Sequence, residues 1–150
     1  MTDELRLAIK LAHETCLELK NFPPTRHQKN IPRRGGIYAF FENGQCMYVG
    51  RTSNLWIRNI QQRCGPYNAA ALAVAMARKA TGRKATYLAG TGIKTLGKLG
   101  FFIQAFNHAK AQVEKMEFAW AVQENDAVQA LAEIFATIEL KPLFSSLRTS

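Results

Sequence analysis

Hydrophobic side chains recur at three- and four-residue spacing through the first twenty residues of the chain, which is the period of one face of an α-helix. This spacing predicts an amphipathic helix over residues 3–20, with Thr2 or Asp3 capping its N-terminus. The segment from Asn21 to Gly35 contains three prolines and several basic residues, and we expect it to be a connecting loop. A helix and a loop therefore precede the first strand.

Alternation of apolar and polar positions then gives way several times to helical spacing. Gly82 is expected to end a helix and Pro142 to prevent a helix from continuing. The predicted elements, in chain order, are strands Ile37–Phe41 and Gln45–Val49, helices over 53–63 (capped by Thr52 or Ser53) and 67–80, a loop over 81–98, a helix over 98–110, a strand over 115–122, and a helix from Asn125 or Asp126 to Leu140. This order predicts an α+β protein with a small antiparallel sheet packed by helices.

The turn Glu42-Asn43-Gly44 joins the first two strands and decides where their tyrosines lie. A two-residue loop would place Tyr38 opposite Val49 and put the two tyrosines on opposite faces, since side chains alternate along a strand. A three-residue loop, with its glycine in the left-handed region as a bulge, places Tyr38 opposite Tyr48. We predict this second register, because it allows the two phenols to act together.

The composition of the chain limits its domain size and its cellular location. Its 150 residues suit one domain with a core, and 47% of them are hydrophobic, without a run long enough to cross a membrane. The acidic start of the chain lacks the basic and apolar regions of a signal peptide. The three cysteines are odd in number and have no metal-binding spacing. These features favour a reducing, cytoplasmic location with no membrane partner.

The net charge of +9 is concentrated in one part of the chain. No acidic residue lies between Asn43 and Val113, whereas the positive and negative charges of the rest of the chain nearly cancel. A basic block that is also rich in apolar residues indicates a folded surface for a polyanion, with nucleic acid preferred over an anionic membrane. Two basic residues of this window, Arg58 and Lys110, are not among the candidate DNA contacts. The candidates are its other basic residues: Arg51, Arg63, Arg78, Lys79, Arg83, Lys84, Lys94 and Lys98.

Two phenols and two guanidinium groups lie within about twenty residues of one another around Tyr38, Tyr48, Arg51 and Arg58. Hydrolysis of a phosphodiester needs a base, positive charge at the phosphate and a Lewis acid on the leaving oxygen. Adjacent cations could make a tyrosine a better base by favouring its phenolate. The residues fit this chemistry, and they fit equally a buried aromatic hairpin with solvated arginines.

Three further features carry less information. The stretch Gly92–Lys98 has the outline of a phosphate-binding loop, but Leu99 stands where a magnesium-binding Ser or Thr is needed. We expect a glycine-rich basic loop there. His108 is interpreted as a surface histidine of its helix. Glu133, among apolar neighbours, would be a hard oxygen ligand suited to Mg²⁺ or Mn²⁺.

Several segments together resemble the GIY-YIG endonuclease family, in its prokaryotic branch related to restriction enzymes. Gly36-Ile37-Tyr38 and Tyr48-Val49-Gly50 match its first two motifs, and Arg51–Arg58 is similar to its third. Ala130–Glu133 and Pro142–Ser145 fit two later segments of the family. The resemblance implies a three-stranded antiparallel sheet flanked by helices. It also implies a single domain over residues 1–150, divided into an N-terminal helix and loop 1–34, a core of about 35–64 and 113–147, and a basic helical insert 65–112.

The same resemblance implies a metal-dependent endonuclease that hydrolyses DNA, most naturally double-stranded DNA. Tyr38 or Tyr48 would be the general base or would orient water, with Tyr38 preferred. Arg58 would stabilise charge on the phosphate, assisted by Arg51. Glu133 would hold one Mg²⁺ or Mn²⁺ per site. Whether two chains form a homodimer to cut both strands is left open, since one site nicks one strand per encounter.

Two positions depart from the family pattern. Gln62 stands where members often have His or Tyr, and Ser145 replaces a common Asn. Both changes could weaken cleavage. The alternative function is therefore a catalytically weakened protein of this type that acts as a nucleic-acid-binding or scaffolding module. A plain RNA-associated basic protein is a third interpretation of the charge.

Overall fold

The chain forms two compact units, which a computed structural model describes for most of the sequence. The described residues are 1–27, 29–82, 100–145 and 147. The first unit combines Met1–Arg58 with Met116–Leu147, and the second is built from Asn59–Lys115. Most of the predicted core therefore belongs to the first unit and the predicted insert to the second. The glycine-rich stretch Gly92–Lys98 and nearly all of the predicted loop 81–98 lie outside the described residues.

Helices and strands follow the predicted order. Thr2 and Asn125 cap the first and last helices, and Gly82 ends a helix in the left-handed conformation, as expected. Within the described ranges, no helix is both long and apolar enough to cross a membrane. The elements are α1 (Asp3–Asn21), β1 (Gly36–Glu42), β2 (Gln45–Thr52), α2 (Leu55–Cys64), α3 (Ala71–Thr81), α4 (Gly100–Glu114), β3 (Glu117–Val122), α5 (Asp126–Leu140) and β4 (Phe144–Ser145). The α+β class is thus confirmed.

In the described part of the chain the sheet has four strands in the order β3-β1-β2-β4, so the expectation of three antiparallel strands is wrong. β1 is antiparallel to both β2 and β3, but β4 runs parallel to β2 and pairs with Tyr48 and Val49. A two-residue strand is too short to show an alternating pattern in the sequence. Among the described residues, β4 pairs with these two alone, so the end of β2 at Gly50–Thr52 has no strand on that side.

The β1–β2 turn is a two-residue loop, and the predicted three-residue loop is wrong. Asn43 and Gly44 both have positive φ angles, 51° and 80°, and Glu42 pairs directly with Gln45. Two consecutive positive φ angles match the twist of the strands that they join, and Asn-Gly is the pair that tolerates them best.

A bulge in β2 places the two tyrosines on one face of the sheet, which the two-residue turn alone would have prevented. β2 carries one extra residue relative to β1, Met47, which moves the register by one position. Tyr38 consequently pairs with Gly50 rather than with Tyr48. Because Tyr48 lies two residues before Gly50, the two tyrosines still share one face, and their ring centroids are 6.1 Å apart. The shared face is confirmed, although the predicted pairing is not.

The two faces of the sheet differ in composition. One face supplies small aliphatic side chains that pack in a core with α1 and α5, including Ile37, Val49 and Ala119. The opposite face is aromatic, and its ring centroids lie 5.1–6.1 Å apart. The members of this aromatic cluster are Tyr38, Phe40, Tyr48 and Phe118. Alternation along β1 and β2 therefore directs the tyrosines away from the helix-packed core.

The second unit is a helical pair in its described part, α3 against α4. Tyr67 packs against Phe106 in a tilted arrangement, with ring centroids 4.3 Å apart. The fully buried side chain of Gln62 accepts a hydrogen bond at 3.0 Å from the backbone N–H of Leu72, in the first turn of α3. Gln62 therefore satisfies a helix N-terminus that has no cap of its own.

Candidate functional site

One pocket of the first unit contains every catalytic residue expected from the sequence. Its volume is about 310 Å³. The lining side chains come from β1, β2, α2 and α5, together with one residue beyond β4. They are Tyr38, Tyr48, Gly50, Arg51, Arg58, Glu133 and Leu147. Leu147 was not expected from the sequence.

The two tyrosines are almost completely buried, at 2% exposure for Tyr38 and 5% for Tyr48. Gly50 makes their arrangement possible. A Cβ atom at Gly50 would lie 2.5 Å from the hydroxyl oxygen of Tyr38 and 3.0 Å from the ring of Tyr48. The phenol of Tyr38 thus lies directly over the backbone of Gly50, where no other residue type fits without a shift.

Arg51 and Glu133 bring opposite charges together in the pocket. The Glu133 side chain is 7% exposed, whereas that of Arg51 is 43% exposed. Arg51 Nε lies 3.8 Å from Glu133 Oε1, and Arg51 Nη1 lies 3.5 Å from Gln129 Oε1. Both distances are at the long end for such contacts, so the guanidinium is held loosely and retains N–H groups for a ligand.

Gln129 is a site neighbour that sequence reasoning missed. It lies one helical turn before Glu133 on the buried face of α5. The signal was present, since residues four apart share a helix face and a buried polar residue needs partners. It was not recognised because a lone glutamine has no characteristic chemistry.

Arg58 has the most unusual environment of these side chains. It lies on α2, where its backbone N–H donates to the carbonyl of Asn54 at 3.0 Å. Its Nε is buried and has no hydrogen-bond partner among the described residues. A buried N–H donor without a partner is costly, and because Arg58 also lines the pocket, an anion bound there is a natural partner for its guanidinium.

The start of α2 sets the direction in which Arg58 leaves the hairpin. Asn54 caps this helix, since its Oδ1 accepts from the N–H of Ile57 at 3.0 Å. The expected cap, Thr52 or Ser53, is wrong. Thr52 Oγ1 instead accepts from the N–H of Asn54 at 3.1 Å and holds the turn before the helix. The two turns together connect β2 directly to α2.

The expected DNA contacts fall into several groups. Arg51 lines the pocket, and Lys79 is exposed on the last turn of α3. Arg78 is half-buried, and burial lowers its pKa. Arg63 donates through Nη1 to the carbonyl oxygens of Val113 and Glu114, at 3.2 and 2.6 Å, and so caps the end of α4. Four expected contacts lie outside the described residues: Arg83, Lys84, Lys94 and Lys98.

The two departures from the family pattern have structural roles. Gln62 is not in the pocket, because its side chain caps α3 as described above. Ser145 Oγ accepts from the N–H of Leu147 at 3.1 Å, in the segment that follows β4. This bond holds the turn that brings Leu147 to the pocket wall.

The carboxylate of Glu133 is the candidate metal ligand. The described residues contain no group of three or more His, Cys, Asp or Glu side chains able to surround an ion. Mg²⁺ does not require such a group, because it is commonly bound by one or two carboxylates together with waters and substrate phosphates. A single buried carboxylate on the wall of a polar pocket fits that pattern, so Glu133 could hold Mg²⁺ or Mn²⁺ together with waters and a phosphate ligand.

The cysteines have no part in the site. All three are free thiols. Burial raises the pKa of Cys46 to about 12 and also raises that of Cys16, to which the charge of Glu139 contributes. Buried thiols of this kind are poor nucleophiles because the thiolate is scarce at neutral pH.

Comparisons with protein-family models, curated proteins and solved structures found no match to this chain.

Proposed function

We propose that this chain is a metal-dependent endonuclease that hydrolyses DNA phosphodiester bonds, as the GIY-YIG-like motifs imply. The observation that carries the proposal is the buried Nε of Arg58, which has no partner within the described part of the chain and belongs to a pocket with two phenols and a carboxylate. A phosphate oxygen would satisfy this donor. Charge-assisted bonds from a guanidinium to phosphate are among the strongest that proteins make.

The remaining pocket residues supply the other parts of the reaction. Tyr38 or Tyr48 would accept a proton from the attacking water or orient it, and Tyr38 is preferred. The guanidinium groups of Arg51 and Arg58 would favour the phenolate and stabilise the charge that develops on the phosphate. The two phenols are packed against Gly50, whose small size lets the Tyr38 hydroxyl lie directly over the strand backbone beside the arginines.

Glu133 would hold the divalent ion, Mg²⁺ or Mn²⁺. A bound ion of this kind would supply Lewis-acid stabilisation of the leaving oxygen. The low exposure of the carboxylate keeps it within the pocket rather than in bulk solvent. Its charge is also the attraction that draws the loosely held guanidinium of Arg51 towards the site.

The test is nicking of supercoiled plasmid in Mg²⁺ or Mn²⁺. We expect Glu133→Gln to abolish the reaction and Arg58→Met to reduce its rate by about 10²–10³-fold, as for other losses of transition-state charge stabilisation. Glu139→Gln is the matched control on α5, because Glu139 pairs with Lys20 outside the pocket. Absence of nicking by the native protein in both metals would overturn the proposal.

A DNA-binding module without cleavage is the second candidate, and the contact between Arg51 and Glu133 favours it. A guanidinium 3.8 Å from the carboxylate competes with a metal for the same charge. In this case the protein binds labelled duplex DNA with an affinity that falls steeply with salt, and Glu133→Gln preserves or raises that affinity because it removes a negative charge beside Arg51. Binding without nicking would select this candidate over the nuclease.

A further inference from the structure

Gln129 is a buried amide that links three parts of the first unit. Its side chain is on α5, and the residue is 4% exposed. Its Nε2 donates to the carbonyl oxygen of Gln123 at 2.7 Å and to that of Thr52 at 3.1 Å. Gln123 follows β3 and Thr52 ends β2. One side chain therefore connects α5 to the ends of two strands.

These two bonds determine which way the amide points. An NH₂ group has two donors, and both are directed at carbonyl oxygens, whereas a rotated amide would place its own oxygen against them. Oε1 must consequently face the other direction, and there it lies 3.5 Å from Arg51 Nη1. The backbone carbonyl oxygens of Gln123 and Thr52 thus determine that Gln129 presents its own oxygen, a hydrogen-bond acceptor, to Arg51.

Gln129 and Glu133 together present two acceptors to one guanidinium. They lie one turn apart on α5 and contact Nη1 and Nε of Arg51, respectively. The two acceptors differ in charge. A neutral amide can orient Arg51 without cancelling its positive charge, whereas a second carboxylate would neutralise the arginine that the phosphate needs.

We infer that Gln129 is a positioning residue that holds the guanidinium of Arg51 at the wall of the pocket. The expected effect of Gln129 on catalysis rests on the proposed function. Its restraint of the Arg51 side chain does not. The Arg51 side chain is long, flexible and 43% exposed, so without a second contact it would leave the pocket for solvent. The inference goes beyond the motif residues, because it explains how Arg51 is kept in place.

A double-mutant cycle separates positioning from general support of the fold. Gln129→Met removes the acceptor for Arg51 and also the two bonds to carbonyl oxygens, so it lowers stability in any background. We expect it to slow single-turnover nicking by about tenfold or more, as small displacements of a catalytic group do. In the Arg51→Met background the same change should alter the rate by less than about twofold while the loss of stability persists. Equal loss of rate in both backgrounds would overturn the inference.

A second measurement does not depend on cleavage or on a substitution at position 129. The ¹⁵N relaxation of Arg51 Nε in the native, metal-free protein should report a side chain clearly less mobile than that of an exposed arginine without such contacts. Arg6, which is exposed on α1, is the reference for a mobile arginine, and loss of one signal in Arg51→Met assigns the resonance. If Arg51 is as mobile as Arg6, the inference is wrong. If Arg51 is rigid but the native protein does not nick DNA, only the proposed function fails.

Discussion

Substitution of Gly50 tests the central packing relation of the site without assuming any activity. The residue lies on β2 opposite Tyr38, and the phenol covers its backbone. In Gly50→Ala the new Cβ would be 2.5 Å from the Tyr38 hydroxyl oxygen and 2.7 Å from the ring carbon that bears it. Contacts this short do not occur, so either the ring or the strand must move.

The size of the effect follows from how little the ring can move. Tyr38 is 2% exposed, and its ring is surrounded by those of Phe40, Tyr48 and Phe118 at centroid distances of 5.8–6.1 Å. Overpacking of a well-filled core costs about 1–3 kcal/mol, and a ring without free space belongs at the upper end. We expect Gly50→Ala to lower the free energy of unfolding by about 2–3 kcal/mol.

Tryptophan fluorescence during urea unfolding is the appropriate assay. The only two tryptophans of the chain, Trp56 and Trp120, both belong to the first unit, so their signal reports the unit that contains the site. Gly100→Ala is a matched control. A Cβ at Gly100 meets no atom of the described residues within 4 Å, and alanine is the better helix former, so this variant should be neutral or slightly more stable.

Tyr38→Phe identifies the cause of the loss. Removing the hydroxyl eliminates the 2.5 Å clash but leaves the 2.7 Å contact with the ring, so the double variant should recover about 1 kcal/mol relative to additivity. A Gly50→Ala protein within about 0.5 kcal/mol of the native one, or purely additive effects, would refute the proposed packing of the phenol on the strand.

Two further predictions concern buried polar groups. Burial raises the pKa of the Cys46 thiol from 9.0 to about 12, so stability is complete below about pH 9 and falls as the pH rises towards 12. The loss between about pH 8 and 10.5 should be smaller by about 2 kcal/mol in Cys46→Ala than in the native protein, measured by urea unfolding, and equal losses would contradict the shift. Gln62→Ala should cost about 1–3 kcal/mol by circular dichroism, because it leaves the N–H of Leu72 without its acceptor. Gln61→Ala is the control, and a similar cost there would refute this role.

Local signals predicted three helix ends correctly, whereas most other element ends differ from the prediction by one to four residues. Thr2 and Asn125 cap helices because a short polar side chain before an apolar run can reach the first free N–H groups. Gly82 ends a helix because it adopts a left-handed conformation without strain. The cap of α2 could not be chosen in this way, because Thr52, Ser53 and Asn54 are all capable caps and only the packed turn selects among them.

The geometry of the site could not be predicted from residues close together in the sequence. The bulge at Met47 depends on how β1 and β2 pack in the sheet, and no turn motif in the sequence predicts it. The residues that meet in the pocket could be named from motifs, but the contact of Arg51 with Gln129 joins positions 78 apart in the sequence. Such contacts become visible only once α5 is placed against β2.

The strand order has a consequence for how the protein is made. β1 is an inner strand, yet its two partners are synthesised at very different times, since β2 follows it directly and β3 ends at Val122. While a ribosome translates the intervening second unit, one edge of β1 remains without its partner. An exposed edge rich in Ile, Tyr and Phe is prone to pair with other chains. The interval between hairpin and third strand is therefore the period in which a nascent chain is most exposed to aggregation.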